Sequence, residues 1–467
     1  MKKLISSMKS KDKCSHYPFQ MVAKKFPMAR GTFIGEVNED YLDWAIEEDW
    51  CCLFTVVFEN ITSKFLFDSY ISSSHCQVLS KDAVINNGRV SSADKLQATI
   101  TERDWLIIKR VYEWDSVEIH NLRIYPAGYL PRPFIMAVLN LYQKKTTLKG
   151  IDEKIIEYMV SKNMLNADYG MIVTNIIRDI YEYSNSSGWS TQQGNTEEQL
   201  NSYNSNYNRF LFYAWGVWVT AWARYELWDA ILALGQDYIY SDTDSVKYIN
   251  DHEDYFLDYN LKVIFELKKV CAYYDIPWEM VAPKTKKGET KILGVWEDDA
   301  EYLMFKTDGA KRYIYTYTNG ESLFTVSGVN KKFGMPYLLS TYCGVDFETA
   351  RIAYNPTKEE RELDENKDSI SKRAMKKIEQ QFFDSENKLY DRMFDEFKEG
   401  LYFPPDATGK STLTYKDNPL VGVVTDYQGN TAPVFEYSYI HMEPQSYLMS
   451  ISDDYLRFLL GYRDASI

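Results

Sequence analysis

The sequence predicts an α+β protein. Three observations carry this reading. Short runs rich in β-branched and aromatic residues, such as Cys51-Cys52-Leu53-Phe54-Thr55-Val56-Val57-Phe58, have the length and composition of strands. Longer stretches at 130–178, 212–234 and 252–275 have the length and spacing of helices. Between the last two lies a hairpin signature, Asp237-Tyr238-Ile239-Tyr240-Ser241-Asp242-Thr243-Asp244-Ser245-Val246-Lys247-Tyr248.

The hairpin holds two aspartates one residue apart. Side chains two apart on an extended chain point the same way, so Asp242 and Asp244 would aim at one spot if the turn stays extended. Carboxylates that share a spot repel unless a cation lies between them, and oxygen-rich sites suit Mg²⁺ or Mn²⁺. A bare Asp-x-Asp also describes a solvated acidic turn. A calcium loop does not fit: Glu253 falls at position 12 from Asp242, but Val246 stands at position 5 and Lys247 replaces the required glycine at position 6.

The 467 residues suggest two to four domains with ample core. A hydrophobic fraction of 45% and a charged fraction of 26% are those of an ordinary soluble chain. The net charge of −14 argues against a surface coated in basic groups, but one basic channel can lie inside an acidic exterior. Cysteines 14, 51, 52, 76, 271 and 343 form no CxxC and no zinc spacing with histidine, so reduced thiols in a cytoplasmic setting are expected. The start, MKKLISSMKSKDK, has no apolar core of a signal peptide, and no run reaches the roughly 18 apolar residues of a membrane span.

Along the chain, Asp12 to Tyr17 reads as extended or turning, because Pro18 biases Tyr17 away from helix, and a helix start after Pro18 is compatible with the sequence. Residues 31–125 read as strand-rich, including Trp105-Leu106-Ile107-Ile108, with a turn at Asn87-Gly88-Arg89. Residues 130–178 read as a helical hairpin whose second helix covers about 152–177. On that helix Lys162, Asn166, Tyr169 and Gly170 fall on one stripe, which is a poor core face and suits an anion, a flat ring and a close backbone approach. An exposed helix face explains the same stripe equally well. Residues 180–210, rich in Ser, Asn, Gly and Gln, read as a mobile loop or insertion. Residues 212–234 read as a buried helix carrying Thr220 and Arg224, 252–275 as an amphipathic helix, 283–291 as a basic loop and 292–335 as strands. Lys311, Tyr313 and Tyr315 would share one strand face suited to a nucleic-acid backbone. Residues 356–397 read as charged helix; Asp384-Ser385-Glu386 within them lacks a second acidic cluster and is set aside as a nuclease site. Turns at Asp417-Asn418-Pro419 and Tyr427-Gln428-Gly429-Asn430 and a last helix over 454–461 complete the reading.

Three motifs occur in one order: D-x-x-S-x-Y-P from Asp12, K-x-x-x-N-x-x-Y-G from Lys162, and Y-x-D-T-D-S from Tyr240, with Lys311-x-Tyr313 after them. Together they resemble the family B DNA polymerases, more narrowly the phage branch that includes protein-primed enzymes. The resemblance covers about residues 10–335. It implies a right-hand polymerase with an antiparallel palm sheet, helical fingers and a thumb. The implied segments are 1–128 (first part of the palm, with added strands), 129–178 (fingers), 179–211 (mobile insertion), 212–335 (palm with the hairpin) and 336–467 (thumb and extension). It implies two Mg²⁺ ions, or Mn²⁺, bridged by Asp12 and Asp244, with Asp242 a supporting acid. Lys145 and Lys162 would contact the triphosphate. Tyr17, Tyr169 and Asn166 would shape the sugar pocket. Thr220, Arg224, Lys311 and Tyr313 would contact DNA. Primer-template DNA and deoxynucleoside triphosphates would be the ligands, in the host cytoplasm if the chain is phage-encoded.

There are departures. His16 and Phe19 replace the commoner Leu and Ser, and Ala167 replaces Ser. The strand before Asp12, Ser7-Met8-Lys9-Ser10-Lys11, is polar for a core strand. Only eleven residues precede Asp12, where the family carries an exonuclease domain, so the expectation is either that a separate polypeptide supplies the exonuclease or that the chain is a truncated product; a priming protein is a second candidate partner. The alternative function is an inactive or partner-dependent DNA-binding half of a split polymerase. An RNA-templated enzyme is disfavoured, because Thr243 separates the two hairpin aspartates.

Overall fold

The computed structural model describes residues 5–65, 69–86, 88–184, 188–207, 209, 212–363, 368–383, 389–416, 420–435 and 439–450. They form two compact units. One comprises Ser7–Arg178 with Asn195–Glu301, the other the first described residues, Ile5 and Ser6, with Asp179–Gly194 and residues 302–450.

The first unit takes in β1 (Ile5–Lys13) from Ser7 onward, turns at Cys14-Ser15, and enters α1 (His16–Ala23). Pro18 is the third residue of α1. Its missing N–H has no helical partner to lose in a first turn, so Tyr17 is helical rather than extended. The strand-rich reading of 31–125 holds for a seven-stranded sheet. Its main path runs Thr32–Val37, Ser116–Tyr125, Cys51–Ser63, Arg89–Thr101 and Cys76–Leu79, all antiparallel. The run 105–108 is the exception: it lies in α2 (Glu102–Val111). Thr101 and Asp104 form a capping box, each side chain accepting from the other's backbone N–H. Trp105, Ile108 and Val111 are buried at three-residue spacing, and a four-residue apolar run cannot distinguish that helical face from a buried strand.

The helical hairpin is α3 (Arg132–Leu148) and α4 (Ile155–Ile172). Helix α4 stops short of 177, and the chain after it presses on α5 (Tyr213–Leu234). A Cβ at Gly216 would lie 2.1 Å from Val173 Cγ1, so glycine sets how closely these segments approach. Then come β2 (Tyr238–Asp242), β3 (Ser245–Tyr248), α6 (Glu253–Tyr274) and β4 (Trp296–Thr307), which runs from the first unit into the second. The strands neighbour one another in the order β2-β3-β1-β4. Phe19, Tyr142, Trp218, Val246, Tyr248, Phe256 and Trp296 are buried in one core between this sheet and the helices. Each such side chain contributes about 1.5–3 kcal/mol by leaving water.

The polar character of β1 has a structural reason. Lys11 is buried and its ammonium is 2.7 Å from Glu253 and 2.6 Å from Asp298. Lys13 is wholly buried against Glu226 of α5. The strand's cations therefore face carboxylates on the elements packed around it.

In the second unit, β5 (Arg312–Tyr317) pairs antiparallel with residues 302–307 of β4 and with β6 (Ser322–Val326). Helices Lys331–Tyr337, Phe347–Tyr354, Ile370–Phe383 and Leu389–Glu396 enclose Phe324, Met335, Ile378, Met393 and Phe397. Antiparallel pairs Ser411–Lys416 with Tyr439–Pro444, and Leu420–Thr425 with Thr431–Phe435, follow. The turn expected at 427–430 lies within the second pair, with Gly429 at φ +84°. The segment 179–211, expected as a mobile insertion, carries regular structure: strands Ile180–Ser184 and Gly188–Gln192, then a helix Thr196–Ser205. Asn195 starts that helix by accepting from the N–H groups of Glu197 and Glu198. Asp384-Ser385-Glu386, Asp417-Asn418-Pro419 and the helix over 454–461 lie outside the described residues.

Candidate active site

The hairpin and β1 meet in register. Asp242 pairs with Ser245 across the turn, and Ser245 pairs with Asp12 on the next strand. The turn does not stay extended, as the alternation argument required. Thr243 has φ +54° and Asp244 N–H bonds back to Asp242 C=O at 2.6 Å. The two hairpin aspartates therefore do not share a direction by strand alternation. The turn instead brings Asp244 to β1, where its carbonyl accepts from Lys13 N–H at 2.7 Å. Burial is the first reason the half-buried Asp12 carboxyl is pushed up to about 7, and the Asp244 charge is the second; Asp299 and Glu297 add to it and Lys247 opposes. Asp12 and Asp244 are thus electrostatic neighbours. Asp299 and Glu297, both on β4, belong to the same acidic neighbourhood and were missed in the sequence, where they are two acids in the run Glu297-Asp298-Asp299.

The helical hairpin supplies cations to this place. Lys145 donates to Ser15 Oγ at 2.8 Å, at the turn between β1 and α1. Burial lowers the Lys145 pKa; Lys149 and Lys162 also lower it, whereas Cys14 and Asp12 raise it. Lys145 therefore lies within the fields of both Lys162 and Asp12. The predicted stripe on α4 splits: Lys162 and Tyr169 are half-buried, whereas Asn166 and Gly170 are exposed. Tyr169 meets Tyr17 edge-on, with ring centroids 5.0 Å apart. Burial raises the Tyr17 phenol, with Tyr169 and Asp244 raising it further and Arg224 opposing. Tyr169 is raised by burial, and Thr220 and Arg224 oppose.

Thr220 and Arg224 sit one turn apart on α5, beside the two tyrosines. Arg224 is committed on one side. It donates to Asp104 from Nε at 3.0 Å and from Nη2 at 2.8 Å, and to Tyr70 OH at 3.3 Å, yet its side chain stays 38% exposed. Lys311 and Tyr313 lie in the second unit. Lys311 has φ +55° and precedes β5, so the alternation that pairs Tyr313 with Tyr315 does not extend to it; it is exposed, and Tyr313 is half-buried.

Sequence reasoning also missed Glu226. It is buried on α5, accepts from Lys13 at 2.6 Å, Lys24 at 2.7 Å and Gln20 Nε2 at 2.6 Å, and lies 3.5 Å from His16 Nε2. Burial opposes its ionisation, but Lys13 and Lys24 hold the carboxyl well below its ordinary range. Burial lowers Lys13 to about 8 against the pull of Glu226, and burial with the Lys13 charge lowers His16 to about 4. The available signal was an acid inside a largely apolar helix.

Among the described residues no group of three or more His, Cys, Asp or Glu side chains is placed to hold a metal ion. Mg²⁺ commonly takes one or two carboxylates, with waters and substrate phosphates completing its shell, so the crowded pair Asp12 and Asp244 fits that demand.

Residues 1–254 match the family model described as DNA polymerase type B, organellar and viral. No curated protein sequence matches the chain. Solved structures that share its fold include two of Phi29 DNA polymerase. Phi29 DNA polymerase complexed with primer-template DNA and incoming nucleotide substrates aligns with TM-score 0.50 and 16% identity, over 94% of this chain and 58% of that one. Phi29 DNA polymerase complexed with single-stranded DNA aligns with TM-score 0.50 and 18% identity, over 71% and 52%. The chain spans little more than half the length of these structures. Among the described residues no helix is long and apolar enough to cross a membrane. With the family model covering more than half of the chain, the protein belongs to the type B DNA polymerases of the organellar and viral kind.

Proposed function

We propose that the chain is a DNA-directed DNA polymerase that adds deoxynucleotides to a primer 3′ end as a template dictates. The observation that carries this is the convergence of Asp12, Asp244, Lys145, Lys162, Tyr17 and Tyr169 from four separated segments. On this reading the β1–β4 sheet is the palm, α3 and α4 are the fingers, and the helices of the second unit belong to the thumb.

Each residue then has a task. Asp12 and Asp244 hold Mg²⁺, with Asp242 in support. Bound there, two such ions favour the ionised primer hydroxyl and neutralise the leaving pyrophosphate. Lys145, which feels both Asp12 and Lys162, and Lys162 on α4 bind the triphosphate. The Tyr17–Tyr169 pair is a wall against the sugar, and its bulk excludes a 2′-hydroxyl; Asn166 borders that pocket. Arg224 keeps part of its guanidinium exposed for a DNA phosphate, with Thr220 beside it. Lys311 and Tyr313 hold the primer end.

The test is single-nucleotide extension of a labelled primer on a defined template, using the purified chain and Mg²⁺. Addition of the template-directed base by the wild type, and its loss in Asp244→Asn, are expected. Wild-type extension that persists in Asp244→Asn removes the site assignment. DNA binding without extension by a folded wild type removes the proposed activity for the isolated chain.

A further inference from the structure

The turn that places Asp244 adopts an unfavourable backbone conformation. Thr243 is β-branched and sits at φ +54°, where such residues are rare; it is exposed, and its hydroxyl donates to Asp242 Oδ1 at 3.1 Å within the turn. Conformations of this kind persist when the surroundings over-determine them. Two contacts come from the segment that carries Asp12. Lys13 N–H bonds Asp244 C=O at 2.7 Å, and His16 Nδ1 lies 3.3 Å from the Thr243 carbonyl oxygen.

His16 is itself held. It is buried on α1 with only 2% of its side chain exposed, and Nε2 lies 3.4 Å from Lys13 Nζ. Nε2 also lies 3.5 Å from Glu226 Oε2, a carboxylate oxygen that Lys13 and Gln20 already occupy at 2.6 Å; with the Lys13 ammonium donating to Nε2 we assign the ring proton to Nδ1, where it donates to the Thr243 carbonyl. Lys13 is anchored by Glu226 and by Tyr259, and Glu226 is anchored by Lys24 and Gln20. The result is a buried polar scaffold in which one ring spans from the helix core to the exposed turn.

We propose that His16 is a positioning residue: it fixes the Thr243-Asp244 peptide, and so the Asp244 carboxylate, opposite Asp12 before a divalent cation arrives. This rests on the reading above that Asp12 and Asp244 hold that cation. His16 contacts no reacting atom. Its effect passes through the turn, as with partners that orient a metal ligand and whose loss costs about 10–100-fold in metal affinity.

The test is Mn²⁺ binding to the full chain, followed by electron paramagnetic resonance without DNA or nucleotide. Asp12→Asn defines the binding that belongs to the site. His16→Leu removes the donor; His16→Asn keeps an N–H near the Nδ1 position. Thermal melts identify the variants that fold. The expected result is Mn²⁺ affinity lowered at least roughly tenfold in His16→Leu and retained within about threefold in His16→Asn. A folded His16→Leu chain that binds Mn²⁺ within about twofold of wild type overturns the role of His16 and leaves the site reading standing. If His16→Leu does not fold, a folded His16→Asn chain with tenfold weaker binding overturns it as well, because the retained donor should suffice. Wild-type binding that Asp12→Asn does not diminish overturns the site reading itself.

Discussion

Substituting Glu226 tests whether the buried scaffold holds the strand that carries Asp12. Glu226→Gln removes the charge opposite two ammonium groups, one on Lys13 with 0% side-chain exposure and one on Lys24 with 8%. Breaking a buried pair by neutralising one partner costs about 3–5 kcal/mol, since it strands an uncompensated charge. At about 2 °C per kcal/mol for a unit of this size, Tm should fall by about 6–10 °C at pH 7. The pH dependence has a definite sign. Burial depresses Lys13 to about 8 in the folded chain against its ordinary value of 10.5, so the unfolded chain binds more protons between these values. Stability from this group therefore rises as pH rises from about 8 towards 10.5. Without Glu226 the depression deepens, and the deficit of the variant should shrink as Lys13 sheds its proton. Melts of wild type and Glu226→Gln between pH 7 and 10 measure this. A triple variant with Lys13→Met, Lys24→Met and Glu226→Leu should recover much of the loss, because the one carboxylate it leaves without its lysine, Glu266, is 37% exposed and keeps water around its charge. A Tm change under about 2 °C at pH 7, or a deficit that grows with pH, refutes the reasoning.

Four further outcomes are expected. Asp12 is the opposite case: its carboxyl is raised to about 7 from 3.8, so the ionised form penalises the folded state above about pH 7 and the penalty is gone below about pH 4. In the presence of a chelator, Asp12→Asn should raise stability by about 1–2 kcal/mol at pH 8, after discounting for its solvent exposure, and by nothing near pH 4, as read by melts at both pH values. Lys162→Ala should raise the KM for the incoming nucleotide roughly tenfold or more, since a charge-assisted contact contributes about 1.5–3 kcal/mol, and steady-state extension at varied nucleotide measures it. Tyr17→Ala should reduce discrimination against ribonucleotides by roughly tenfold, read as the ratio of kcat/KM values for paired substrates. Thr101→Ala should cost about 1 kcal/mol in chemical denaturation through loss of the α2 cap.

The parts legible in the sequence were those with local signals. The β2–β3 hairpin, the long apolar helix α5 and the α3–α4 pair each show their type within a short window, and the order of the three motifs pointed to a common site. What escaped was set by distance or ambiguity. Lys13 and Glu226 are 213 residues apart, and no periodicity links them. Trp105-Leu106-Ile107-Ile108 is too short a run to choose between helix and strand; its capping box decides. Asp244 reaches Asp12 through the left-handed conformation of Thr243, which an alternation rule cannot foresee. The acids of β4 join the site through sheet order, a property of the folded chain.

The central claim is that β1 and the hairpin turn form one carboxylate site. Single-turnover primer extension by wild type, Asp12→Asn, Asp244→Asn and the double variant measures it most directly. Residues that act as a unit are non-additive, so each single variant should lose at least about 10³-fold in rate and the double variant should be no slower than the slower single. Losses that multiply in the double variant, or a single variant that extends the primer at the wild-type rate, would contradict the account.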